Sequence, residues 1–404
     1  MSFLAEAAAR YAEVTGASID WMLARPPLEH GFLNTKRNSV TLRDYGSEDG
    51  LAGPDYLYGW IQTRGLDALV HHTAAAGAAA PESWKAAITR LERLVPRLRD
   101  GKGAAYFCYD AKSLTPLRLT PEGPLPQERD ADIATPSDIY MASALAMADI
   151  ARGGDGREES VRLAAVGRAI SEKRFITDES LPLNAQTLAG QPDPGFSPFM
   201  TLLGAALSLA RRGHAENAAF ALPLIEHVLS THLDTASGLL RLRPGEDLCG
   251  GGLSLEFAGF ALGYCAFSGE TGPVRELTRL AIASFRHCHT GMAIPTWTSL
   301  ADPAHHSGLF PWWPLVETIR AMAMGYQLTG DETCLSLWQE ADRAFFAHYW
   351  RPEAALAYQM RDEAGPLQRA PATPDLDPGY HTGLSLLDAI GVVERLAGGR
   401  IADP

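Results

Sequence analysis

The sequence predicts an all-α fold, an (α/α)6 barrel of about twelve helices with short β-hairpin loops on one rim. Three observations predict it. Six short segments rich in Asp, Gly and Pro recur roughly 58 to 73 residues apart, the signature of an array of similar supersecondary units. The stretches between them carry apolar residues three and four positions apart, the helical period. Several of these stretches are apolar nearly all round, which fits a helix buried on both sides.

The six segments begin near Phe32, Ala105, Phe175, Leu233, Met292 and Trp350. Each stretch between them has room for two helices, read as 136–154 with 156–173, 198–212 with 214–231, 252–270 with 272–287, and 312–329 with 331–348. Glycine and polar residues at 153–156, 211–214, 268–272 and 329–332 end one helix and start the next. An N-terminal helix, a pair between 56 and 100 and a final helix over 379–397 complete the count. Leu253, Phe257, Phe260 and Tyr264 form one apolar stripe, and Leu315, Ile319, Met322 and Tyr326 another. Hairpins in a row bury their apolar faces by stacking, and inner helices apolar on every side favour closure into a ring over an open solenoid. The expected organisation is one domain over 1–404, with functional groups on the loops of one rim.

Composition narrows the function. A chain of 404 residues with 46% hydrophobic and 21% charged residues has material for a large core. A formal charge of −13 and the lack of a cationic stripe argue against nucleic acid as a partner. No apolar run reaches the length of a membrane span, and the N-terminus lacks a basic region followed by an apolar core, so no membrane partner and a cytoplasmic location are expected. Five widely spaced cysteines, an odd number, argue against a disulfide framework or a CxxC zinc site. A homodimer is compatible with the sequence, which does not specify one.

Five strings carry a resemblance. HGFLNTKRNSVTLRDYG (30–46), WIQTRGLDAL (60–69), PSDIY (136–140), PWWPLVETIRAMAMGYQLTGDE (311–332) and PGYHTGLSLL (378–387) stand in the order of similar strings in the N-acylglucosamine 2-epimerase family, which includes cellobiose and mannose epimerases and aldose–ketose isomerases. The chain resembles that family over about residues 30 to 387 as a divergent member. The resemblance implies the same (α/α)6 barrel, a small saccharide or sugar derivative as partner, no cofactor, and proton transfer next to a sugar carbonyl through an enediolate. Such chemistry needs a base near neutrality and a cation or donor aimed at the developing oxyanion.

By the same resemblance His381 is the general base and acid, Arg64 of the Gln-x-Arg string binds the enediolate oxygens, and Glu256 and Glu317 are the carboxylates that accept from sugar hydroxyls. Trp60, Gln62, Asp138, Tyr140, Trp312 and Trp313 are expected around the sugar, and the rim loop with His305 and His306 is expected to reach it. Glu317 sits in an otherwise apolar helical segment, where a carboxylate needs a partner.

Two departures weaken the two-base reading. Where the family has Met-His-Leu-Leu-Glu this chain has Met200-Thr201-Leu202-Leu203-Gly204, and where it has Gly-His-x-x-Glu this chain has Gly252-Leu253-Ser254-Leu255-Glu256. The second catalytic histidine is therefore a leucine. A single shuttle at His381 still serves aldose–ketose isomerisation. The alternative is a divergent barrel that uses Glu256, Glu317 and Asp138 for glycoside hydrolysis or elimination, or that only binds sugar. No metal is expected, because His287, Cys288 and His289 are neighbours that diverge in direction and lack a third ligand at a recognisable spacing. The glycines at 250–252 lack the context of a nucleotide loop.

Overall fold

The computed structural model describes residues 2–368 and 373–398. Outer helices α1 (Phe3–Ala24), α3 (Glu82–Leu94), α5 (Arg157–Ser171), α8 (Ala221–His232), α10 (Val274–Cys288) and α12 (Glu332–His348) alternate with inner helices α2 (Gly59–Ala76), α4 (Pro136–Ala151), α7 (Ser197–Arg211), α9 (Gly251–Ser268), α11 (Trp313–Thr329) and α13 (Ser385–Ala397). A short helix, α6 (Ala185–Gly190), lies in a connecting loop. The inner helices pack in chain order, α2 on α4, α4 on α7, α7 on α9, α9 on α11 and α11 on α13. A π-helical turn, Tyr380–Leu384, leads into α13 and returns to α2, which closes the toroid.

Inner and outer helices differ as their sequences require. α9 is apolar all round and buries residues on every face, including Leu255, Phe257, Phe260 and Leu262. α10 keeps Arg275, Glu276 and Arg279 outside and buries Leu277, Leu280, Ala281 and Phe285 against the inner ring. Close approach of inner helices requires small residues: a Cβ at Gly263 would lie 2.9 Å from the Leu207 side chain. The outer ring is closed by polar contacts between α1 and α12. Both carboxylate oxygens of Asp342 accept from Arg10 at 2.6 Å, Tyr11 donates to Asp342 at 2.8 Å, and Trp338 donates to Tyr11 at 2.9 Å.

The helix pairs fall within a few residues of those read from the sequence. The exception is 214–231, where a 3-10 turn at Ala215–Ala218 precedes a helix that starts only at Ala221. Turns from inner to outer helices are short, and glycines such as Gly269 (φ 82°) and Gly330 (φ 66°) end α9 and α11 in the left-handed conformation. Connections from outer to inner helices are long and share one rim, where hairpins form at Leu233–Asp234 with Leu239–Leu240 and at Trp350–Arg351 with Leu356–Ala357. Three of the six segments depart from the expected hairpin. The segment after Phe32 holds only one antiparallel bridge, Arg37 to Asp44, and the one at Phe175 makes parallel bridges to Ala134 and, through Leu183, to Arg129. Thr298–Ser299 of the fifth segment pairs back with Leu248–Cys249 of the previous connection.

Candidate functional site

Because all long connections lie on one rim, every inner helix starts there, and their first turns surround a cavity of about 240 Å³. Trp60 and Arg64 of α2, Pro136 and Tyr140 of α4, Met200 and Thr201 of α7, Leu253 and Glu256 of α9, and Trp312, Trp313 and His381 line it. Helix N-termini carry partial positive charge, so this mouth favours negative charge on a ligand.

His381 is positioned by its turn. Asp377 accepts from the backbone N–H groups of Tyr380 (2.9 Å), His381 (3.2 Å) and Thr382 (2.8 Å), fixing the start of the π-helical turn. Gly379 enters this turn at φ 82°, and a Cβ there would lie 2.6 Å from Ile19. The His381 ring lies between Trp313, tilted at 5.7 Å, and Trp312, edge-on at 6.0 Å, whose indole donates to Thr382 at 3.1 Å.

Behind the ring, His381 Nδ1 lies 2.9 Å from Glu317 Oε1. Glu317 has no exposed surface, and its other oxygen is ion-paired to Arg320. Arg320 Nε reaches Asp388 at 2.8 Å, and Asp388 is held in turn by Arg211 at 2.9 and 2.6 Å. A chain of buried charge thus runs from His381 through Glu317, Arg320 and Asp388 to Arg211. On the cavity side, Glu256 Oε1 approaches the same nitrogen, His381 Nδ1, at 3.8 Å. Burial is the main cause that pushes its carboxyl up to about 7, with Glu317 adding to the rise and His381 and Arg64 opposing it. A carboxyl in that range is part protonated at neutrality and can give or take a proton.

Arg64 sits in an aromatic cage, its guanidinium 4.1 Å from the Tyr140 ring centre, 5.1 Å from Tyr380 and 5.3 Å from Trp60, with a hydrogen bond to the Tyr140 hydroxyl. Its Nε is buried without a partner, as are Oγ1 of Thr177 and Oε1 of Gln359, which line the same cavity. Unpartnered donors and acceptors around one cavity suit a ligand rich in hydroxyls. The donor atoms of Glu256, Glu317 and His381 lie within 4.8 Å of one another, a spacing that one metal ion could bridge. The Arg320 guanidinium already supplies positive charge at Glu317, whereas Glu256 has no cation in direct contact.

The structure brings Arg64, Glu256, His381, Trp60, Tyr140, Trp312 and Trp313 to the cavity wall and puts Glu317 directly behind His381. Four expected sugar contacts stand elsewhere. Gln62 uses both ends of its amide on the Leu33 backbone, accepting from N at 2.8 Å and donating to O at 3.0 Å, and so pins the first rim loop. Asp138 closes the capping box of α4 with Thr135 and takes both ends of Arg129, at 2.6 and 3.0 Å. His305 is exposed and edge-on to Trp297, and His306 accepts from the Gly308 N–H at 3.1 Å; neither is in the cavity lining.

Sequence reading missed Tyr380, Asp377, Gln359 and Glu179. Tyr380 lies against Arg64 and fills the space beside Gly204, where a Cβ would be 3.3 Å from its hydroxyl. Glu179 stands behind Trp60, accepting from Ser137 Oγ at 2.7 Å and from the indole at 3.3 Å, and burial pushes its carboxyl up to about 7. The signal available for Asp377 was an acid preceding Pro-Gly at a helix start; Glu179 and Gln359 lie in loops with no periodicity to flag them.

No protein-family model matches the chain, and no curated protein matches it by sequence. Solved structures share its fold. A cellobiose 2-epimerase from Bacillus thermoamylovorans B4167 superposes with a TM-score of 0.71 at 14% identity, over 95% of this chain and 99% of that one. A D-mannose isomerase gives 0.68 at 13% identity over 95% and 97%. A family 76 glycoside hydrolase (mannosidase), Bt3792 from Bacteroides thetaiotaomicron VPI-5482, gives 0.54 at 13% identity over 97% and 100%. The relationship to the epimerase and isomerase fold is distant and structural.

Proposed function

We propose that the cavity binds a small saccharide and that Glu256 is the group that moves the proton, with His381 as its partner and Arg64 as donor to a sugar oxygen. The single observation that carries this reading is the state of Glu256. It faces the cavity with a histidine 3.8 Å away in place of a direct cationic partner, and burial pushes its carboxyl up to about 7. Leu253 lines the wall where the resemblance would put an opposing histidine, so two-base epimerisation lacks a base. Protonated, Glu256 donates to the oxygen leaving a sugar carbon in hydrolysis or elimination; ionised, it takes a proton back. Trp60 and Trp313 offer flat apolar faces to a sugar ring, and the helix N-termini favour negative charge developing at the mouth. A glycoside hydrolase of similar fold supports hydrolysis as a reaction for such a scaffold.

A second reading has its own observation. Nδ1 of His381 is engaged by Glu317, which leaves Nε2 as the free ring nitrogen, and a one-base shuttle there suits aldose–ketose isomerisation, the activity named for the D-mannose isomerase of similar fold. Incubation of the protein with aldoses, ketoses and disaccharides in deuterated water, followed by NMR, separates the two. Carboxylate cleavage gives a new reducing end or an unsaturated sugar without deuterium at C1 or C2, and Glu256→Gln abolishes it. Deuterium at C1 or C2, lost in His381→Ala, establishes the isomerase reading. Saturable binding with no product reduces the proposal to a sugar-binding protein, and neither binding nor turnover of any saccharide contradicts it.

A further inference from the structure

A second cavity, of about 480 Å³, opens at the opposite mouth of the ring. It is walled by His72 of α2, Arg211 and Arg212 at the end of α7, Phe267 near the end of α9, and Asp388 and Arg395 of α13, with Thr15 of α1 and Trp84 of α3 beside them. Arg64 and His72 lie eight residues apart on α2, so about 12 Å of helix separates the two cavities.

The polar lining of this second cavity is cationic and incompletely bonded. Three arginines, Arg211, Arg212 and Arg395, face two carboxylates, Asp388 and Glu394. Asp388 is already shared between Arg211 and Arg320. Arg395 donates only to the neutral amide oxygen of Gln327, at 3.0 and 2.8 Å, and lies over the Phe267 ring. Arg212 makes no side-chain hydrogen bond or ion pair among the described residues, and its Nε is buried. Nη1 of Arg211 is buried and unpartnered as well. In a chain of net charge −13, Arg212 and Arg395 without a carboxylate partner in one cavity are a local reversal of sign.

A buried guanidinium N–H without an acceptor is costly, and a phosphate or carboxylate satisfies several such donors at once. The negative ends of the inner helix dipoles account for cations at this mouth. They do not supply the missing acceptors, because neither Arg211 Nη1 nor Arg212 Nε bonds to a terminal carbonyl.

We propose that this cavity is a binding site for a small polyvalent oxyanion, inorganic phosphate or a polycarboxylate, held by Arg212 and Arg395 with Arg211 beside them. The site is independent of the sugar reading. Arg211 also belongs to the ion-pair chain that ends at His381, so the two cavities share one buried network.

Isothermal titration of the full chain with inorganic phosphate and, separately, with citrate, at fixed ionic strength, tests it. Saturable one-to-one binding of at least one anion is expected, weakened about ten-fold or more in Arg212→Met and in Arg395→Met, since a charge-assisted hydrogen bond is worth that much. Arg168→Met, which changes an exposed arginine on α5, keeps the wild-type affinity. Independently of any variant, the anion that binds raises the melting temperature of the wild type relative to chloride at equal ionic strength. Absence of saturable binding by both anions, or undiminished affinity in the Arg212 and Arg395 variants, overturns the proposal. Binding of phosphate alone, or of citrate alone, decides between the two sources.

Discussion

The two carboxylates that approach Nδ1 of His381 use the same residue type to opposite ends. Behind the ring, Glu317 has no exposure and is held by His381 and Arg320, with Asp388 and Arg211 continuing the chain. On the cavity side, Glu256 has no such cation in contact, only the edge of the histidine, and its carboxyl is pushed up to about 7. Partnership therefore separates a carboxylate that fixes geometry from one that is free to exchange a proton. The floor of the cavity is scaffold, and its wall is where chemistry is available.

The largest effect comes from breaking the floor. Arg320→Met leaves Glu317 and part of Asp388 buried without their cation and should destabilise the protein by about 3–5 kcal/mol in denaturant unfolding, the usual result of removing one partner of a buried pair. A variant within about 1 kcal/mol of wild type would remove the distinction between the two regions.

Breaking the wall should leave the fold and remove the chemistry. Glu256→Gln should lower turnover of the sugar identified above by about a hundred-fold or more while saccharide affinity changes little. Its stability profile has a defined sign. The folded carboxyl titrates near 7 rather than near the ordinary 4.5, so the wild type gains relative to the glutamine variant below about pH 4.5 and loses that gain as pH rises to about 7. A wild type that gains relative stability over that interval would reverse the assignment.

Smaller effects sharpen the picture at the edges. Gly204→Ala brings a Cβ within 3.0 Å of Phe260 and 3.3 Å of the Tyr380 hydroxyl, and should cost about 1–3 kcal/mol by overpacking, read as a lower melting temperature. His305→Ala with His306→Ala should change stability by no more than about 0.5 kcal/mol and leave saccharide binding intact, because neither ring lines the cavity.

The barrel was legible in the sequence because its two signals, the recurring loops and the helical period between them, both come from burial. Arg64, Glu317 and His381 came from ordered strings and Glu256 from the carboxylate kept in the altered Gly252–Glu256 segment, and each stands near the start of an inner helix. What stayed hidden was pairing across the ring. Arg320 and Asp388 each stand in largely apolar helices, which signals a buried partner but not its identity, and their meeting depends on how α11 packs on α13. Gln62 and Asp138 were misplaced for a related reason. A polar side chain beside a pocket residue reads the same whether it turns inward or bonds backbone, and here Gln62 bonds Leu33 and Asp138 caps α4.

The most direct test follows the carboxyl carbons of glutamate in protein labelled with carbon-13 by NMR as pH is varied, with Glu256→Gln and Glu179→Gln used for assignment. A resonance that vanishes in Glu256→Gln and titrates near pH 7 is the predicted result. A Glu256 carboxyl that titrates near the ordinary 4.5 would contradict the account, because Glu256 would then be ionised at neutrality and unable to donate the proton as proposed.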